Sequence, residues 1–265
     1  MKKYLTITGP IAVAMYLFLY LPLLTILFYS FIGTNRAGVS AITLEWYSRM
    51  FTNASLMLAL QNTFILAVSS ASISTVIGTM LGYGLDRYRF PGKRIFNGFL
   101  HVPIFLPDIV TAVSMLVFYA VLKVRFGILD KGILTMIIAH VTVQVPIVAI
   151  MMRARLEAWA STFEEAAADL GASPARRFRQ ITIPLVRPGV VAGGLLAFTL
   201  SLGDFVISYF TASQTSQTIP LVIFSRLKEG ADGEIHALAS IILITGLVCA
   251  VAATAVHRSK QYETA

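Results

Sequence analysis

Charge is scarce in this sequence. Asp, Glu, Lys and Arg make up 13% of its 265 residues, where an ordinary globular domain carries about 25%. That shortfall excludes the usual soluble domain with a solvated, charged surface. Cysteine is almost absent as well. Cys249 stands alone, so an intrachain disulfide framework and a zinc site built on cysteine pairs are both excluded. Within its apolar run it reads as a small packing residue.

Catalytic signatures are missing too. The one Gly-Lys pair, Gly92-Lys93, has Arg87 where the first glycine of a phosphate-binding loop belongs and Arg94 where Ser or Thr belongs. Neither H-E-x-x-H nor G-x-S-x-G occurs. The four histidines, His101, His140, His236 and His257, do not recur at metal-ligand spacing. His140 falls inside an apolar run, where an ordinary hydrogen-bonded role is the expectation. No resident cofactor or metal and no enzymatic activity are expected. A gradient or a partner must therefore supply the energy for any work.

Long uncharged runs are what the sequence has instead. Hydrophobic residues make up 57% of it, and the mean hydropathy is +0.77. Residues 4–35, 50–85, 132–152 and 235–257 contain no charge, while 95–122 and 188–225 each contain one acid. A spanning helix needs about 20 mostly apolar residues, and each run is long enough. The expectation is an all-α membrane protein with six transmembrane helices at 9–31, 60–85, 98–122, 133–154, 188–212 and 236–257. The first run follows "MKKY" but exceeds the roughly 7–15 residues of a signal h-region, and no A-x-A-like site follows it.

An even number of spans puts both termini on one side. Of the 21 Lys and Arg, 14 fall in the N-terminus, 86–97, 153–187 and 258–265; the other 7 fall in 32–59, 123–132 and 213–235. The positive-inside rule makes the first set cytoplasmic. The net charge of +8 is thus a topology signal, and no nucleic acid is implied. The stretch "LEWYSRMFTN" suits an outer membrane interface.

Inside the spans, Pro22, Pro103, Pro107 and Pro146 predict kinks. "GTMLG" (Gly78, Gly82) and "GVVAG" (Gly189, Gly193) are small-xxx-small patterns that predict close helix packing. Asp108 and Asp204 are lone acids in apolar surroundings, and a carboxylate at the bilayer centre costs about 2.5 kcal/mol or more. Such residues line a pathway, pair with a cation, or cap a helix break. Asp108 follows Pro107 and Asp204 follows Gly203, so capping competes with function at both. Helix rise puts Asp108 about 15 Å from the inner end of its span and Asp204 about 24 Å from that of its own, one near the middle of the bilayer and one nearer the outer face.

The charged stretch 163–185, "FEEAAADLGASPARRFRQITIPL", interrupts the oil. Ser161-x-x-Glu164 and Thr162-x-x-Glu165 are capping-box patterns that predict a helix start. Phe163, Ala166, Ala167 and Leu170 share one face. Gly171 suits the left-handed position that ends a helix. Ser173-Pro174 predicts an N-cap and first residue of a second short helix, decorated by Arg176, Arg177 and Arg179 and closed by Pro184 and Pro188. Such a device at a membrane surface suits a docking partner or anionic headgroups.

"EAAADLGASPARRFRQITIP" resembles the EAA signature of permease subunits of binding-protein-dependent ABC importers: E-A-A, three residues, G, nine residues, I-x-L-P. Glu165, Ala166, Ala167, Gly171, Ile181 and Pro184 match, while Ile183 stands where Leu is usual. The resemblance implies a type I importer (MetI-like) permease fold and makes these six residues the ATPase-coupling site. It also implies ATP bound by two partner ATPase subunits, a homologous second permease completing a heterodimer, and a periplasmic binding protein. The place implied is the bacterial inner membrane. Domains are expected at 1–58 (first span and outer loop), 59–257 (permease domain, coupling loop 156–187) and 258–265 (cytoplasmic tail).

Within the family the chain is similar to the C-type permeases of spermidine and putrescine importers, through "LEWYSRMF", "RYRFPGK", "LPDIV", "FTLSLGDFVISYF", "IPLVIFSRLKEG" and "GEIHALAS". That group often has two adjacent acids where this chain has Gly203-Asp204. The departure keeps amino acid-like, opine and aminophosphonate cargo open. Asp108 and Asp204 as a substrate pathway still favour a cation. A gradient-driven transporter or channel is the rival class; it explains the spans and the acids but not the EAA stretch.

Overall fold

The computed structural model describes residues 2–34, 40–230 and 232–245. They form α1 (Lys2–Tyr29), β1 (Ile32–Thr34), β2 (Ser40–Ile42), α2 (Glu45–Thr52), α3 (Ala54–Arg87), α4 (Lys93–Phe105), α5 (Asp108–Phe126), α6 (Ile133–Asp169) and α7 (Pro174–Arg177). A π-helical turn (Phe178–Thr182) leads into α8 (Ile183–Gly203), α9 (Val206–Thr211), a 3-10 turn (Gln214–Ser216), α10 (Ile219–Glu229) and α11 (Gly233–Thr245). Two compact units result: residues 1–57 with 223–265, and residues 58–222.

Among the described residues, five helical stretches are long and apolar enough to cross a membrane: Gly9–Tyr29, Ala54–Arg87, Asp108–Phe126, Ile133–Leu156 and Pro174–Gly203. The sixth expected span, 236–257, begins in α11; its remainder, with Cys249 and His257, lies outside the described residues.

Three expectations need correction. The span expected at 98–122 is broken, because Pro107 cannot donate to the helix and holds the preceding residue extended (Leu106, φ −75°, ψ 136°). The span expected at 188–212 ends at Gly203, where Asp204 turns extended (ψ 126°) before α9. Finally, no helix starts at Ser161 or Thr162. Helix α6 runs unbroken for 37 residues from the fourth span into the EAA stretch. "RARLEAWA" contains no breaker, and extending a helix is far cheaper than nucleating a new one.

In the first unit a short antiparallel hairpin pairs Ile32 with Ile42 and Thr34 with Ser40. The Trp46 indole N–H donates to the Ile32 carbonyl (2.8 Å), and the Ser30 and Tyr47 hydroxyls bond at 2.8 Å. Arg226 joins both Asp232 and Glu234 at 3.0 Å, and Glu234 also accepts from the Asn53 amide at 2.7 Å.

In the second unit α6 packs between α3 and α8 through the small-residue patterns. A Cβ on Gly78 would stand 2.6 Å from the Val148 Cβ, and one on Gly82 would stand 2.7 Å from the Ala149 carbonyl oxygen. On α8, Gly189 lies against Arg155 and Gly193 against Val148. Ala71, Val148 and Ala197 form one buried cluster here, and Met152, Leu156 and Val186 another. Close backbone approach is what small residues permit in a bundle without aqueous driving force. Gly82→Ala is therefore expected to overpack by about 1–3 kcal/mol and to lower the thermal-unfolding midpoint in detergent. Gly84→Ala on the same helix, where a Cβ meets nothing within 4 Å, is the control and leaves the midpoint at or above the wild-type value.

Candidate functional site

The residues expected to form sites fall in two regions, both in the unit 58–222. The first is a cavity of about 680 Å³. Its wall is made where the expected third and fifth spans break, with α6 between them. Asp108, His140, Gln144 and Asp204 supply its polar groups, among apolar neighbours such as Pro103 and Val143. The two acids expected at different depths thus line one space. Depths counted along unbroken helices do not survive the breaks at Pro107 and Asp204.

Asp108 is the first residue of α5, where a carboxylate meets the positive end of the helix dipole. It is exposed, and among the described residues it has no hydrogen bond or ion pair. Asp204 is different. Its Oδ1 accepts the Ile207 N–H at 3.3 Å and its Oδ2 the Ser208 N–H at 2.8 Å, so it caps the start of α9. The same Oδ2 lies 3.3 Å from His140 Nε2. Capping and cavity lining are therefore combined in one side chain.

His140 was expected to be merely hydrogen-bonded. It is 2% exposed and stands at the centre of a polar cluster drawn from four helices, α3, α6, α8 and α9. Its Nδ1 meets the Ser201 hydroxyl at 2.8 Å, and its Nε2 meets the Ser208 hydroxyl at 3.3 Å. Ser201 in turn accepts from Ser70 on α3 at 3.1 Å. A neighbouring bond runs from the Ser74 hydroxyl to the Gln144 carbonyl oxygen at 3.0 Å. A half-buried carboxylate calls for a donor, and His140 is one residue of the fourth span able to supply it. That demand, with Ser201 and Ser208 at −3 and +4 from Asp204, was the signal in the sequence.

The second region is the EAA stretch. Glu165, Ala166 and Ala167 lie in the last turns of α6. The helix ends as expected at Gly171, whose φ is +78°. The Gly171 N–H donates to the Ala168 carbonyl and the Ala172 N–H to the Ala167 carbonyl, both at 2.9 Å. This is the Schellman pairing, and it needs a residue at ease in the left-handed region. Ser173 is extended and Pro174 opens α7 as expected, although the Ser173 side chain makes no capping bond.

The prolines do not close the loop. α7 continues through the π turn into α8, with Pro184 and Pro188 inside the helix. The Ile183 N–H reaches back five residues to the Phe178 carbonyl, and this widened turn, which contains Ile181, makes room ahead of Pro184. The expected apolar face does not close on this chain. Leu170 is 89% exposed, Phe163 50% exposed, and Ala166 is exposed; only Ala167 is half-buried.

Comparison with known proteins shows the family of the chain. A family model described as "Binding-protein-dependent transport system inner membrane component" matches residues 74–261. The chain is 37% identical to the spermidine/putrescine transport system permease protein PotC of Escherichia coli (strain K12), over 95% of this chain and 94% of that protein. It is 36% identical to the putrescine transport system permease protein PotI of the same strain, over 85% and 82%. Among solved structures, a bacterial ABC transporter involved in the import of the acidic polysaccharide alginate matches with a TM-score of 0.73 at 16% identity, covering 97% of this chain and 96% of that one. At that identity the likeness concerns the fold.

Proposed function

Because the chain belongs to the family of binding-protein-dependent transport system inner membrane components, we propose that it passes a small cation of the polyamine class, such as spermidine or putrescine, through the bilayer. It is the multi-pass permease subunit of an ABC importer of the inner membrane. The cargo is handed over by a periplasmic binding protein at the outer loops. ATP is hydrolysed on two partner subunits, and this chain is not itself an enzyme. A homologous second permease completes the path. Both termini face the cytoplasm with the more basic set of loops.

The observation that carries the cargo class is the pair Asp108 and Asp204 on one cavity wall, in a chain similar to permeases named for polyamines. Two carboxylates in a low-dielectric space favour a cation and repel an anion. The coupling role rests on the uncovered Leu170 and Phe163, an apolar face that fits the groove of an ATPase subunit. When the ATPase subunits close, force enters at 163–185, and α6, continuous from that loop to the cavity wall, carries it to His140. A ligand shifts such a two-state machine only through contacts that differ between its states.

The test is calorimetric titration of the binding protein that works with this permease. Putrescine, spermidine, an amino acid, an opine and an aminophosphonate are compared. Saturable binding of a polyamine in the micromolar range or tighter is expected. A ligand that is purely anionic overturns the cation assignment, and selectivity for the amino acid or opine moves the cargo to that class.

A further inference from the structure

Asp204 is engaged more heavily than binding a passing cation requires. Two backbone N–H groups already hold its carboxylate. His140 adds a further partner on the same oxygen. Cation passage imposes its own demand: a site must bind well enough to admit an ion and weakly enough to release it. A bare buried carboxylate fails the second condition.

We propose that His140 is a positioning residue for cargo, donating its Nε2 proton to Asp204 so that the carboxylate passes a cation instead of retaining it. This inference rests on the cation reading above. The direction of the proton follows from the serines. The Ser70 hydroxyl hydrogen has two acceptors in reach, Ser201 at 3.1 Å and its own helix carbonyl at Ala67 at 3.5 Å; on the shorter bond Ser70 donates to Ser201, which leaves the Ser201 hydroxyl hydrogen free to turn elsewhere. Its partner in reach is Nδ1 of His140, at 2.8 Å, which is thereby an acceptor. A neutral imidazole with Nδ1 accepting carries its proton on Nε2. That proton faces Asp204 Oδ2 and Ser208 Oγ, each at 3.3 Å. Ser70, Ser201, His140 and Asp204 therefore form one directed chain. It crosses α3, α8 and α6 and ends on the carboxylate at the cavity wall. Asp108 has no such donor among the described residues. The cavity thus offers a strong anchor and an attenuated one, an arrangement suited to handing a cation onward.

The test uses the assembled importer. Radiolabelled putrescine binding to the permease–ATPase complex in nanodiscs, without binding protein, gives a Kd. Proteoliposomes with binding protein and ATP give a maximal uptake rate. His140→Leu is expected to tighten the Kd roughly three- to ten-fold, the loss of a hydrogen bond to a charged group, and to slow maximal uptake by a similar factor. His140→Gln, whose amide nitrogen reaches about as far as Nε2, restores both values. Ser201→Ala keeps the imidazole but removes what fixes its tautomer, and shifts both in the same direction by less. In an Asp204→Asn background, His140→Leu leaves the Kd unchanged. A weaker or unchanged Kd in His140→Leu, no rescue by Gln, or additivity with Asp204→Asn overturns the proposal. If Asp204→Asn alone leaves both binding and uptake at wild-type values, the cation reading itself has failed, a distinct result.

Discussion

Gly171→Pro is expected to abolish ATP-driven uptake while leaving the chain inserted in the membrane at normal levels. Gly171 sits at φ +78°, and proline is fixed near −65°. Its N–H donates to the Ala168 carbonyl, a bond that proline cannot make. The Schellman end of α6 is lost, and α7 then leaves at a different angle. The consequence falls on the exposed face just before it. Leu170 is 89% exposed, and burying a leucine side chain in a partner groove contributes about 1.5–3 kcal/mol, or roughly ten- to a hundred-fold in affinity. None of this touches the spans, so insertion survives. Gly171→Ala separates strain from shape. A Cβ there meets nothing within 4 Å, and the remaining cost is about 1–2 kcal/mol of left-handed backbone. Uptake by the alanine variant should fall only partly. Leu170→Glu leaves the backbone alone and should uncouple as fully as proline. The readouts are uptake and cargo-stimulated ATP hydrolysis in proteoliposomes, with membrane level by blotting. Normal uptake by Gly171→Pro counts against the loop's role.

Replacing both acids, Asp108→Asn with Asp204→Asn, should lower polyamine uptake by roughly a hundred-fold or more. A hydrogen bond to a charged group is worth about 1.5–3 kcal/mol, and two are removed from one cavity. Asp108→Asn alone should account for the larger share, because that carboxylate has no partner among the described residues. Asp204 needs two variants. Asparagine keeps an oxygen for the Ser208 N–H, whereas Asp204→Ala also loses the cap of α9, worth about 1 kcal/mol. Lower stability in Asp204→Ala but not in Asp204→Asn separates capping from charge. Should the double variant transport putrescine at the wild-type rate, the carboxylates do not form the path.

The sequence disclosed this fold unevenly, for physical reasons. Uncharged runs announce spans because length and composition alone decide what a bilayer accepts, and Gly78, Gly82, Gly189 and Gly193 announced helix contacts that the packing realises. Breaks and continuities were harder to read. The capping-box pattern at Ser161 and Thr162 had no helix to start, since α6 already arrives from upstream. Pro107 predicts a kink but ends α4's trajectory outright, while Pro184 and Pro188 predict a stop but are absorbed by a π turn. Each outcome depends on what the neighbouring turns can satisfy, which pattern alone does not state. Asp108 and Asp204 were legible as unusual, and their meeting at one cavity required the breaks. The partners of His140 were not legible, because a lone histidine carries little signal until its carboxylate neighbour is placed.

The central claim is that this chain moves cargo only when an ATPase pushes on residues 163–185. Its most direct test is uptake of radiolabelled putrescine into proteoliposomes holding the permease pair, with binding protein present, measured with and without the ATPase subunits and ATP and with imposed proton or sodium gradients. Uptake is expected only with ATPase and ATP together, and at background level under either gradient alone. Gradient-driven accumulation in vesicles lacking the ATPase contradicts the account.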